Sequence, residues 1–131
     1  MASTFKFELV SPERVLMSGD AEQELLPGAE GDMTILAGHA PVISTLRAGV
    51  LDIVLTSSKT SRMFVKSGFA EVSPDRVTVL ADRAYDMADF GTERIAAELA
   101  AAEGELAAAA DDDARFFANE AVSVLSKLKS S

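Results

Sequence analysis

The apolar pattern of this chain changes its period once, near Tyr85, and that change limits the fold to a β part followed by a helical part. Up to Leu80 the apolar residues come in short runs broken by glycine and proline. Phe5 to Val10 alternates apolar and polar residues, the period of a half-buried strand. Ser11-Pro12-Glu13 is a turn, and Arg14 to Met17 is a short strand ended by Ser18-Gly19-Asp20. Ala21 to Leu26, Met33 to Leu36, Val42 to Leu46 and Gly49 to Leu55 follow as further strands. Thr56 to Ser61 is a polar hairpin loop from which Arg62 to Lys66 returns. Phe69 to Val72 and Val77 to Leu80 are joined by Ser73-Pro74-Asp75-Arg76, a turn with proline at its second position. Nine or ten short, closely spaced strands predict a sandwich or flattened barrel.

After Tyr85 the period becomes helical and alanine dominates, so the boundary is placed between residues 1–85 and 86–131. Ile95, Leu99, Ala102 and Leu106 fall on one helical face, with Thr92 or Asp89 as candidate caps. Gly104 interrupts that helix at a cost of about 1 kcal/mol relative to alanine. Asp113 is the expected N-cap of a second helix whose apolar face is Phe117, Ala121, Val124, Leu125 and Leu128. Lys127 and Lys129 sit near its C-terminus, where cations are favoured. The short connection predicts an antiparallel hairpin. Its stripes are thin, so the pair must lean on the β part or on a partner, as a fixed decoration or as an element that exchanges between them.

Charge and motifs then exclude most chemistry. The chain has 131 residues and a net charge of −9, which argues against nucleic acid and against unaided binding to anionic lipid. Residues 1–85 carry 11 acids and 8 bases, net −3; residues 86–131 carry 10 acids and 4 bases, net −6. There is no cysteine, no phosphate-cradling glycine loop and no nucleophile elbow, and a single histidine makes a usual zinc site unattainable. No basic region followed by an apolar run opens the chain, and no run is long enough to span a membrane. No cofactor is expected. The densest cluster of turn residues is Glu30 to Pro41, where two sharp turns bracket one short strand. Its exposed candidates for touching a partner are Glu30, Asp32, Met33 and His39. His39, in Gly-His-Ala-Pro, is a turn or partner residue rather than a general base, because no serine or carboxylate stands at a spacing that marks a triad.

The order and spacing of several motifs resemble the epsilon subunit of the rotary F-type ATP synthase of bacteria, called delta in mitochondria. The resemblance covers nearly the whole chain. It is carried by Phe5 to Glu13, Leu26 to Asp32, Gly38-His39-Ala40-Pro41, Gly49-Val50-Leu51, Ser67 to Val72, and Val77 to Ala84. It implies a β-sandwich of about ten strands followed by a C-terminal α-helical hairpin. It also implies a non-catalytic central-stalk subunit that couples the gamma subunit to the c-ring and is peripheral at the cytoplasmic face of the bacterial inner membrane. The loop around Glu30, Gly31 and Asp32, with Met33 beside it, would face the polar loops of the c-ring. The segment from His39 to Val42 would face gamma. Through the C-terminal helices the resemblance extends the partners to the alpha/beta catalytic head and offers an alternative role, inhibition of ATP hydrolysis with ATP sensing. At the family's ATP motif this chain reads Phe90-Gly91-Thr92-Glu93-Arg94-Ile95, so Arg94 alone remains as a candidate ATP contact. Thr34 and Ala37 stand where glycine and proline are common in the family.

Overall fold

Nine strands precede two helices in the computed structural model, which describes residues 4–56 and 59–130. The strands are β1 (Phe5–Val10), β2 (Val15–Gly28), β3 (Gly31–Leu36), β4 (Val42–Leu46), β5 (Gly49–Leu55), β6 (Thr60–Val65), β7 (Gly68–Ser73), β8 (Arg76–Ala81) and β9 (Ala84–Asp86). The helices are α1 (Thr92–Ala108) and α2 (Asp112–Ser130). Part of the expected polar loop, residues 57 and 58, lies outside the described residues.

Two expected strands are one. Ser18-Gly19-Asp20 does not end a strand, because both halves of β2 find their own backbone partners. The first half pairs β1 from Val10↔Val15 to Phe5↔Ala21. The second half pairs β3 from Gln23↔Leu36 to Gly28↔Gly31 and β5 on its other side. The register with β5 shifts between Ala21 and Gln23, so β2 bends there and passes from one layer to the other. The sheet runs β1-β8-β7-β4-β2-β5-β6-β9 with β3 on β2, and the β1–β2 pairing closes it on itself. Every pairing is antiparallel except β1 with β8. The alternation seen in the sequence fills the interior: Phe5, Phe7 and Leu9 of β1 meet Val77 and Val79 of β8, with Leu51 and Ile53 of β5 opposite. Gly68 opens β7 at φ 152°, and a Cβ there would lie 1.9 Å from the Leu80 carbonyl oxygen, so only glycine lets β7 reach β8.

The short strand β9 falls on the expected boundary at Tyr85 and pairs with β6. It explains why Met63, Phe64 and Val65 are all buried: Met63 and Val65 face the sandwich interior, while Phe64 points outward under the helices. Phe64 belongs to a second apolar cluster with Ala48, Phe90, Ile95, Leu99 and Leu125. Ala102 of α1 and Ala121 of α2 are both buried in it, and their small side chains bring the helices together. The helical pair is therefore a hairpin laid on the outer face of the sandwich.

The helix starts differ from expectation. Neither Thr92 nor Asp89 caps α1; Gly91 holds the cap position without a side-chain bond. Phe90 fixes the entry instead, stacked 4.8 Å from Tyr85 and 5.0 Å from Phe64 by ring centroids. Helix α2 begins at Asp112, one residue before the expected cap, so Asp113 lies inside the first turn. Asp111 takes the capping role, its Oδ1 accepting the Ala114 amide at 2.7 Å.

Candidate partner-binding site

The β2–β3 hairpin turns at Gly28-Ala29-Glu30-Gly31, with Gly31 at φ 142°. A Cβ on Gly28 would lie 2.6 Å from the Gly31 carbonyl oxygen, which is why glycine holds both ends of so tight a turn. This geometry pushes Glu30 and Asp32 into solvent. Asp32 is held by an ion pair with Arg47, whose side chain is mostly covered. The turn and the facing strand β4 enclose an open groove of about 500 Å³, lined by Gly28 to Met33 and by Val42 to Thr45. Five of the expected site residues, Glu30, Gly31, Asp32, Met33 and Val42, thus share one groove.

His39 is not among them. It stands in the β3–β4 connection, where its Nδ1 donates to the Ala40 carbonyl oxygen at 2.7 Å. The connection is tied down by the Gly38 amide, which donates to the Pro74 carbonyl at 2.7 Å. No carboxylate or hydroxyl pairs with the ring among the described residues, and the hydrogen bond it makes stays within its own turn. Arg94 also stands apart: its guanidinium lies 5.6 Å from the Tyr85 ring centroid, a cation–π contact in the first turn of α1. Among the described residues there is no metal-binding group of acidic, histidine or cysteine side chains.

The sequence reading missed the surface next to the groove. Ile43 is 74% exposed, Phe69 54% and Leu80 42%. Phe69 lies between Thr45 and Leu80, so Phe69 and Leu80 stand side by side on the outer face of β7 and β8, and Ile43 shares that face of β4 with the charged Glu71 as its cross-strand partner. Strand parity carried the signal. In β7, Ala70 and Val72 point inward, which sends the larger Phe69 outward. Phe69 and Leu80 also border a smaller hollow that Phe117 of α2 lines. Strand β4 therefore borders both surfaces, the acidic groove at its edge and the partly apolar face on its outer side.

A second cluster joins α1 to the sandwich. Glu98, 4% exposed, accepts from Tyr85 Oη and Arg83 Nη1, both at 2.8 Å to Oε2. Lys66 Nζ stands 4.0 Å from Oε1 and bonds Glu105. Burial is the largest influence on Glu98 and pushes its carboxyl up. The Tyr85 hydroxyl, Arg83 and Lys66 together outweigh it and hold it below the usual carboxylate range. One further carboxyl is isolated: Glu24 of β2 is fully buried, neither oxygen has a partner, and burial drives its pKa well up.

A closed β-sandwich with two adjoining exposed surfaces, carrying a helical pair on its outer face, defines the class: a small β-sandwich module with a C-terminal helical hairpin. A family described as ATP synthase, Delta/Epsilon chain, beta-sandwich domain matches residues 4–87. The ATP synthase epsilon chain of Parvibaculum lavamentivorans is 44% identical over 129 residues, covering 98% of both chains. That of Rhodospirillum rubrum is 42% identical, covering 98% of this chain and 96% of its own. A chain in the mitochondrial ATP synthase of Euglena gracilis (OSCP/F1/c-ring) shares the fold at a TM-score of 0.74 and 20% identity, over 97% of this chain and 80% of that one. The chain belongs to the ATP synthase epsilon chain family. Among the described residues no helix is long and apolar enough to cross a membrane.

Proposed function

We propose that this chain is a non-catalytic central-stalk subunit of a proton-translocating F-type ATP synthase, holding the gamma subunit to the c-ring. It has two units, residues 1–85 as the sandwich and 86–131 as the hairpin. It works at the cytoplasmic face of the bacterial inner membrane, attached through the complex rather than through a span of its own. The observation that carries this reading is the sharing of β4 by two different surfaces. A coupling subunit must hold two partners in fixed relative position, and one hydrogen-bonded strand bordering both contacts does that. The acidic tip of Glu30 and Asp32 suits a basic loop of the c-ring, where exposed charges set register and choice of partner more than affinity. The exposed Phe69 and Leu80, with Ile43 on the same face, suit an apolar face of gamma, to which the segment from His39 to Val42 is also assigned.

Binding of the purified full-length chain to gamma tests the reading. Phe69→Glu weakens that binding by about ten-fold or more, as expected of a large aromatic at the centre of a contact. Glu30→Lys leaves gamma binding intact and impairs joining to the c-ring. Failure of the unaltered chain to bind gamma, under conditions where the synthase is stable, overturns the proposal.

A second reading, a brake on ATP hydrolysis through the C-terminal helices reaching the alpha/beta head, is favoured by one observation. The sandwich core is complete without the hairpin, whose apolar cluster is separate from it. A rise in hydrolysis on removing residues 88–131 supports that reading, and unchanged hydrolysis removes it.

A further inference from the structure

The turn between β2 and β3 has little stiffness of its own, because glycine stands at both its ends, Gly28 and Gly31. Its restraint comes from the connection between β4 and β5. The Ala29 amide donates to the Thr45 carbonyl oxygen at 2.8 Å, and the Arg47 amide donates to the Pro27 carbonyl oxygen at 3.0 Å. Both bonds hold the β2 arm. The β3 arm is held by the other end of the same residue, since the Arg47 guanidinium pairs with Asp32. Pro27 and Asp32 stand opposite each other in the β2–β3 register, so Arg47 grips both members of one cross-strand pair. The guanidinium is seated rather than loose: the Arg47 side chain is 20% exposed, and a Cβ on Gly49 would lie 3.5 Å from its Nη1. Glu30, at the tip of the turn, is exposed and has no ion pair among the described residues.

We infer that Arg47 is the positioning residue of this turn: by gripping Pro27 and Asp32 it fixes the direction of the tip and compensates the Asp32 charge, so that Glu30 is the carboxylate the tip offers to a basic loop of the c-ring. The inference rests on the reading of this turn as the c-ring contact and narrows that contact from two acids to one. Asp32 is more than half exposed, so the ion pair adds little to the stability of the fold. Its effect is on position. A tip that is ordered before contact gives up less freedom on binding. A carboxylate already paired within the chain adds less to a new contact than one that is not, and a fixed charge sets register with the partner.

Two measurements on the full-length chain test the inference. The first needs no partner: NMR relaxation of the backbone amides of Ala29 to Asp32. In the parent these residues are as ordered as the strands beside them. Arg47→Met, which keeps the apolar stem and removes the charge, lowers the order of Glu30 and Gly31, and Asp32→Asn does the same. The thermal midpoint and gamma binding of Arg47→Met stay close to those of the parent. The second measurement is the joining of the gamma complex carrying each variant to purified c-ring in detergent. Arg47→Met and Asp32→Asn each weaken it by about five-fold, and the double variant is no weaker than either alone, because both remove one shared interaction. The charge reversal, Arg47→Asp with Asp32→Arg, restores both the order of the tip and most of the joining. Glu30→Gln weakens joining while the tip stays ordered. The inference is overturned if Arg47→Met leaves the tip as ordered as in the parent. It is equally overturned if Arg47→Met leaves joining unchanged or tightens it, since a freed Asp32 would then meet the basic loop by its own charge. If the parent does not join the c-ring while Arg47→Met still loosens the tip, the assignment of the partner falls and the positioning of the turn by Arg47 stands.

Discussion

Glu24 is the residue most at odds with its surroundings. It stands in β2 opposite Ile35 of β3 and Ile53 of β5, where alternation sends its side chain into the sandwich. With no donor for either oxygen, burial pushes its pKa well above the usual carboxylate range. A carboxyl whose folded pKa is raised contributes no penalty below its unfolded range, where both states hold the proton. Above about pH 4.3 the unfolded chain gives up the proton and the folded chain does not, so stability falls. The slope approaches about 1.4 kcal/mol per pH unit until the folded carboxyl itself ionises. Glu24→Leu, similar in volume, removes both the unpaired group and the slope. Urea unfolding at pH 4 and pH 7 should show the variant more stable at pH 7, by about 1–3 kcal/mol, with a much smaller difference at pH 4. Equal differences at both pH values would show that the carboxyl is ionised in the fold or reaches water. Nothing in Glu22-Gln23-Glu24, within the expected strand Ala21 to Leu26, singles this residue out. The bend at Ala21–Gln23 changes which member of the run points inward, and bends are invisible to a period count.

At the level of elements, most strands were legible from alternation and turn residues, because tertiary contacts agreed with local preference at β1, β4, β5, β7 and β8. The errors are at element ends. A Ser-Gly-Asp triplet signals a turn, yet β2 continues through it because neighbouring strands satisfy its backbone. Three consecutive aspartates each qualify as a cap, and local sequence cannot rank them. The structure ranks them: Asp111→Ala should lower stability by about 1 kcal/mol, while Asp113→Ala should change it little. Thermal unfolding of the two variants separates the assignments. Gly104 lies exposed in α1 with open space where a Cβ would go, so Gly104→Ala should add roughly 0.5–1 kcal/mol, read as increased helicity and slower amide exchange in α1. The attachment of α1 carries its own pH dependence. Glu98 is held below the usual carboxylate range, so its contribution is present above the unfolded value and is lost as pH falls through the folded one. Acidification toward pH 3 should therefore release the hairpin before the sandwich unfolds, seen as loss of protection in α1 and α2 ahead of β1 and β8. Simultaneous loss would tie the two units together.

At the scale of the whole molecule, the change of period at Tyr85 falls within β9, the last strand before the helices, but it could not show which surfaces remain free. Exposed apolar residues look the same in sequence as buried ones, and only the register of β7 against β8 and of β4 against β7 reveals that Phe69 and Leu80 lie side by side with Ile43 on the same face. The free surfaces also fix what removal of the hairpin should do. A chain ending at Asp86 keeps the sandwich core, the groove at Gly28 to Met33 and the outer face of β4, β7 and β8. It loses the cover over Phe64 and the stack of Tyr85 on Phe90. It should fold cooperatively, bind gamma as the full chain does, and support proton-coupled ATP synthesis after reconstitution, with a greater tendency to aggregate through the bared Phe64. Reconstituted enzyme with the full and the shortened chain, compared in ATP hydrolysis and in synthesis, measures the division of labour. Equal synthesis places coupling in the sandwich. A several-fold rise in hydrolysis with the shortened chain assigns the hairpin a braking role in spite of its net negative charge. Loss of synthesis with folding intact would mean that α1 and α2 complete the stalk contact, and the outer face of β4, β7 and β8 would not suffice alone.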